Sequence, residues 1–222
     1  GGGDYPDAQN DDDSYAAAVE MYLTAYALGD SSAQVYKSAM MSSPFFKYVG
    51  QWDWASVAAA GTLSLYAVDN DLSTADIQAI EANIVVFADD IKNAIDSEGY
   101  PSNLNFPSEY SAYPWGSNSF IMNRMIVLAY AFEVTADVSY QKYLLRSMDY
   151  IMGTNAMNVG YITGYGEKAE TDTHDRWAWT IGQDSFWPKG WLSGGPNNEL
   201  INDYETPSVA AAKSYAGKLP RI

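Results

Sequence analysis

The stretch from Gly160 to Arg176 gathers side chains suited to hold a polar, hydroxyl-rich ligand. It reads Gly160-Tyr161-Ile162-Thr163-Gly164-Tyr165-Gly166-Glu167-Lys168, then, after four residues, Thr173-His174-Asp175-Arg176. Glycines let a backbone turn tightly beside a ligand. On an extended loop, residues two apart point to the same side, which aims His174 and Arg176 together. Both side chains donate hydrogen bonds, Arg as a rigid fork. Trp177 and Trp179 follow at once, and aromatic rings pack flat on the C–H faces of sugars while their polar tips bond hydroxyls. The residues alone leave two readings open. One is a polar-plus-aromatic binding loop. The other is a scaffold in which Arg176 pairs with a nearby Asp and His174 is satisfied within the loop.

The elements that must position this stretch are helical. An apolar stripe of Tyr15, Val19, Tyr22, Leu23 and Tyr26 predicts a helix over Asp13–Leu28, ended by Gly29. A second helix is expected over Trp54–Val68. Ser73 is a good N-cap for a third, with Ile77, Ile80, Ile84, Phe87, Ile91 and Ile95 on one face and Gly99 as terminator. A fourth follows Ser117 as N-cap, carrying Phe120, Met125, Leu128 and Phe132. A fifth spans Ser139–Met152, with Tyr140, Leu144 and Ile151 inward, and a short one covers Ser208–Tyr215. Between Gly153 and Pro207 the period breaks, and a long irregular segment in a compact domain is usually functional. No strand series or heptad pattern is present, so the fold class is all-α, built of packed helical hairpins.

Composition narrows the partners. With 222 residues, 47% of them hydrophobic, the chain can build one sizeable core. A net charge of −16 repels phosphate backbones and argues against nucleic acid. The longest apolar runs, such as Ile84–Ala88, are too short for a bilayer. There is no cysteine and one His, which removes thiolate and His-rich metal sites. A bound metal should be a hard, oxygen-ligated ion, and calcium suits the acidic composition. Seven Trp and 18 Tyr are many for this length, though most should simply fill the core. The chain opens on Gly1-Gly2-Gly3 and not on Met, so a missing leader says little about export.

Thr163-x-x-Gly166-x-Lys168, followed at the right interval by His174-x-Arg176, resembles the histidine signature of family-nine glycoside hydrolases. Gly160 and Thr173 depart from the signature, but not at its functional pair. Further segments resemble the family in order along the chain: Asp12-Asp13-x-Tyr15-x-Ala17-Ala18-x-Glu20-x-Tyr22, Tyr113-Pro114-Trp115-Gly116-Ser117-Asn118, Asp149-Tyr150-Ile151-Met152-Gly153-Thr154-Asn155 and Gly194-Gly195-Pro196-Asn197. The resemblance implies part of an (α/α)6 barrel with a loop-rich substrate face. It also implies inverting hydrolysis of β-1,4-glucosidic bonds in cellulose or related glucans, by a bacterial secreted enzyme. Inverting chemistry needs a carboxylate base and a carboxylic acid roughly 6.5–9.5 Å apart. The family's base lies in an Asp-Ala-Gly-Asp motif and its acid in an Asn-Glu motif, and neither is found here. Asp4 and Asp7 do not make the first; Glu199 and Glu205 do not make the second.

Residues 1–222 are therefore expected to form a partial catalytic domain lacking the N-terminal base and C-terminal acid segments, with those segments carried elsewhere, for instance on another chain. By the resemblance, His174, Arg176 and Trp115 contact β-glucan, and Asp12, Asp13 and Asp53 ligate a structural calcium. For Asp13 the competing reading is an N-cap at the start of the first helix, where Asp is favoured, and for Trp115 it is a core ring bracing its loop. A non-catalytic glucan-binding protein derived from such a domain is the alternative function. A different helical-barrel enzyme sharing only the fold is a third.

Overall fold

The structure is a computed structural model that describes residues 10–104, 113–170 and 188–196. These form six α-helices: α1 (Asp11–Leu28), α2 (Ala33–Met41), α3 (Ala58–Ala67), α4 (Thr74–Ser97), α5 (Ser117–Thr135) and α6 (Val138–Ile151). The fold class is all-α, as expected: β-pairing among the described residues is confined to isolated bridges. No described helix is long and apolar enough to cross a membrane. The chain divides into two units, one built on residues up to Asp89 with Glu133–Ala136, the other on Asp90–Phe132 and the chain from Asp137. The expected helix over Ser208–Tyr215 lies outside the described residues.

In the first unit, α1 buries Tyr15, Val19, Tyr22 and Leu23. Tyr26, expected on the same stripe, is 39% exposed at its edge. Asp11, Asp12 and Asp13 occupy the first turn, where negative charge suits the helix dipole. Gly29 ends the helix at φ +66°, donating to the Tyr26 carbonyl at 3.0 Å. α3 crosses α1 closely because Gly61 has no side chain; a Cβ there would lie 3.2 Å from Ala16 Cα. Tyr15 and Thr62 hydroxyls, 2.8 Å apart, satisfy each other inside this crossing.

The helix expected from Trp54 begins at Ala58 instead. Asp53 Oδ1 accepts the Ala55 N–H at 2.8 Å, and Asp53 and Ser56 pair back to back, so residues 53–56 form a turn that competes with helix. α2 was not foreseen. It is nine residues long and buries only Ala33 and Met40, too few apolar positions to show a period.

α4 starts as expected: Ser73 Oγ accepts the Asp76 N–H at 3.1 Å and is itself held by donating to the Asp76 carboxylate at 2.6 Å. Ile80, Ile84, Ile91 and Ile95 are fully buried, each worth about 1.5–3 kcal/mol. The helix ends at Ser97, and Gly99 is not in the left-handed region. In the second unit Leu104, Tyr113, Phe120, Ile121, Met125, Tyr150, Ile151 and Tyr161 form the core. α6 is capped by Asp137, which accepts the Ser139 N–H at 2.8 Å.

Candidate functional site

The second unit carries the signature loop, and its backbone explains how the loop is held. α6 runs out at Ile151, and Gly153 takes φ +126°. Asn155 then folds the chain back, its amide donating to the Tyr150 and Val159 carbonyls, both at 2.8 Å. The Tyr161 N–H bonds the Ile151 carbonyl at 2.8 Å, so the signature begins against the end of α6. Gly160 N–H donates to Lys168 O at 2.8 Å and Glu170 N–H to Gly160 O at 2.9 Å, closing residues 160–170 into a loop. A Cβ at Gly160 would sit 3.2 Å from the Tyr165 carbonyl, a tight contact that suits glycine there.

Thr163 is buried and fixes the other side. Its hydroxyl donates to the Pro188 carbonyl and accepts the Trp191 N–H at 2.9 Å. Its N–H bonds Trp191 O at 2.9 Å and its carbonyl accepts from Gly190 at 2.8 Å. His174 and Arg176 lie outside the described residues. The residues that bracket their stretch, Glu170 and Pro188, are anchored to Gly160 and Thr163 respectively. An open depression of about 520 Å³ is lined by Asp149, Thr154, Asn158, Glu167 and Lys168 among others, and Trp115 is not part of it.

Trp115 is 55% exposed. Gly116 follows at φ +77°. Ser117, expected to be the N-cap of α5, is instead its first residue, and its hydroxyl donates to the Pro196 carbonyl at 2.7 Å. The Asn118 N–H, one of the helix's unpaired terminal donors, bonds Gly194 O at 3.1 Å. Asn118 Nδ2 bonds Ser193 O at 3.0 Å. The Gly-Gly-Pro turn thus supplies the cap for α5. Sequence reading missed this because the two segments lie 75 to 79 residues apart. The signal available was the family-like Gly116-Ser117-Asn118 and Gly194-Gly195-Pro196 pair, which the chain's order alone does not connect.

Of the acidic set, Asp12 is 2% exposed, Asp13 is exposed and Asp53 half-buried. Asp12 Oδ2 accepts the Val57 N–H at 2.8 Å, tying the Asp53–Ser56 turn to the start of α1. Asp12 Oδ1 is buried with no hydrogen-bond partner. Among the described residues no three His, Asp or Glu side chains are grouped to share a metal. A buried carboxylate oxygen without a partner is costly, and a hard cation is the kind of ligand that would satisfy it.

Buried tyrosines line the second unit's core beneath the signature. Burial pushes the Tyr150 hydroxyl far above its ordinary range, and Tyr113 and Tyr161 add to the shift. Burial likewise raises Tyr113 and Tyr161. These phenols stay protonated at any working pH, so they are hydrogen-bonding groups and not bases.

The family model for glycosyl hydrolase family 9 matches residues 1–219. The chain is 34% identical to a cellulose 1,4-beta-cellobiosidase of Acetivibrio thermocellus, over 96% of this chain and 25% of the relative. It is 35% identical to endoglucanase C of Cellulomonas fimi, over 95% of this chain and 19% of the relative. It therefore spans about a quarter or less of these relatives. Among solved structures, a Bacteroides ovatus GH9 protein matches with a TM-score of 0.71 at 25% identity, over 89% of this chain and 35% of that one. A metagenome-derived glycoside hydrolase family 9 endoglucanase matches with a TM-score of 0.74 at 24% identity, over 94% and 36%. The described helices are part of an (α/α)6 barrel fold.

Proposed function

Because this chain belongs to glycosyl hydrolase family 9, we propose that it forms part of a catalytic domain hydrolysing β-1,4-glucosidic bonds in cellulose or a related β-glucan. The observation that carries the reading is the family match over residues 1–219, in which the signature and its flanking segments fall in order. This chain supplies substrate contacts. The general base and general acid of the inverting reaction belong to segments outside these 222 residues. An insoluble polymer is met outside the cell, so the protein works there, and its partner is the glucan chain.

His174 and Arg176 bind glucose hydroxyls near the scissile bond. Arg stays charged at any working pH and its fork spans two hydroxyls. Anchoring of Glu170 to Gly160 and of Pro188 to Thr163 supports this role, because it fixes both ends of their stretch. Trp115, exposed ahead of α5, stacks on a sugar ring. A calcium ion bound at the Asp12 carboxylate, without the Asp13 and Asp53 carboxylates that are not grouped with it, supplies no chemistry. It neutralises the acidic start of α1 and locks the Asp53–Ser56 turn onto it. The support for this ion is the orphaned Asp12 Oδ1.

The test uses the complete catalytic domain and soluble cello-oligosaccharides. Cleavage with inversion at the anomeric carbon is expected. Arg176→Ala should lower kcat/KM roughly 10- to 150-fold, the value of a hydrogen bond from a charged donor, and His174→Ala should lower it in the same direction. Wild-type kcat/KM in both folded variants would remove their role. Glucan binding without cleavage would favour the non-catalytic binding protein, the reading suggested by the lack of both carboxylate motifs in this sequence.

A further inference from the structure

Trp115 stands more than half in solvent, so core packing does not decide where its ring lies. The backbone just after it is held in place. Gly116 sits in the left-handed region at φ +77°, and the next two residues are tied to a segment far along the chain. The Ser117 hydroxyl reaches Pro196 O at 2.7 Å. Asn118 binds Gly194 O through its backbone at 3.1 Å and Ser193 O through its amide at 3.0 Å. The two turns also touch directly: a Cβ at Gly194 would lie 4.0 Å from Gly116 Cα. A Cβ at Gly195 would lie 2.5 to 2.7 Å from the Asn118 amide atoms, so that amide lies flat against the Gly195 backbone. Ser117 and Asn118 are fully buried, and Asn118 Oδ1 is left without a hydrogen-bond partner.

We propose that Ser117 and Asn118 are positioning residues that act through Trp115, clasping the Gly194–Pro196 turn so that the ring is presented to the glucan in one fixed place. The proposal rests on the reading that Trp115 contacts glucan. A ring on a loose turn loses affinity because its ordering must then be supplied on binding. A clasp made of backbone carbonyls and one hydroxyl holds the turn before the ligand arrives.

The experiment measures kcat and KM separately for cello-oligosaccharides in the complete catalytic domain, well below the melting temperature. Ser117→Ala keeps the helix and removes one clasp bond; it should raise KM about 5- to 15-fold with kcat nearly unchanged. Ser117→Thr, which keeps the hydroxyl, should restore KM to within about twofold. Asn118→Ala should act in the same direction and more strongly. In a Trp115→Ala background, Ser117→Ala should raise KM no further, because residues acting through one another are not additive. A KM unchanged in Ser117→Ala, with Trp115→Ala raising it, would overturn the clasp and leave the Trp115 reading standing. The same KM factor in both backgrounds would also overturn it. A wild-type KM in Trp115→Ala would overturn the Trp115 reading and the clasp's role with it.

Discussion

Gly195 and Asp71 show two ways in which a single residue is fixed by its surroundings. Gly195 has φ +87°, and the amide of Asn118 occupies the place a side chain would take. Gly195→Ala should cost about 1–3 kcal/mol from backbone strain, with the clash adding to it. Gly194→Ala is the control: its nearest atom is at ordinary contact distance and its φ is not positive, so its melting temperature should stay close to wild type. Asp71 illustrates charge. The Lys37 ammonium, 2.8 Å away, and then the buried Tyr22 hydroxyl hold its carboxyl below the usual carboxylate range. Lys47 and then Ser73 do the same for Asp76; Tyr143 and then Arg146 do it for Asp96. A carboxylate depressed in the folded state stabilises above its unfolded pKa and loses that contribution as pH falls through its folded pKa. Asp71→Asn should therefore melt below wild type at pH 7, with the gap closing as pH drops under about 4. Asp71 is 40% exposed, so water screens the effect and the gap is small. A gap that persists unchanged to pH 3 would mean that the ion pair is not its source.

Between residue and molecule, the helices are joined by polar links that no period shows. Asn103 takes the left-handed conformation at φ +56° and is buried between α5 and α6. Its carbonyl accepts from Arg124, itself 2% exposed, and its amide donates to Ser147 Oγ at 3.1 Å. Arg124→Met keeps most of the volume but leaves that carbonyl without its charged donor. It should lower stability by about 1.5–3 kcal/mol, read as a lower urea midpoint at unchanged m-value. The start of α4 was legible beforehand because Ser73 and Asp76 are close in sequence and the cap is local. The start of α5 was not. Ser117 is a good cap by type, but its hydroxyl goes to Pro196, and the cap comes from Gly194. α3 starts later than its apolar pattern predicts because the Asp53 side chain accepts the Ala55 N–H and holds residues 53–56 out of helix.

For the whole molecule, charge is the dominant condition. The net charge is −16, and acidic residues crowd the start of α1. If the orphaned Asp12 oxygen takes a cation, calcium should raise the melting temperature of chelator-treated protein. At free calcium near 100 times the dissociation constant the gain is about 2–3 kcal/mol. Asp12→Asn should abolish the response, whereas magnesium, which demands a stricter octahedral shell, should replace calcium poorly. Identical melting curves with chelator and with calcium would dismiss the site.

Local and periodic features were decided by the sequence by itself. The helical class, the buried face of α4, the cap at Ser73 and the Gly29 stop rest on neighbours within one or two turns, where side-chain type and spacing fix the outcome. The family signature is likewise contiguous. Tertiary structure alone decided the pairing of Ser117 and Asn118 with Ser193–Pro196, the pinning of Thr163 to the Pro188–Trp191 segment, and the burial of Asp12 under Val57. Each is a hydrogen bond between groups tens of residues apart. A backbone carbonyl is present at every position, so residue type carries no mark of which distant donor will reach it.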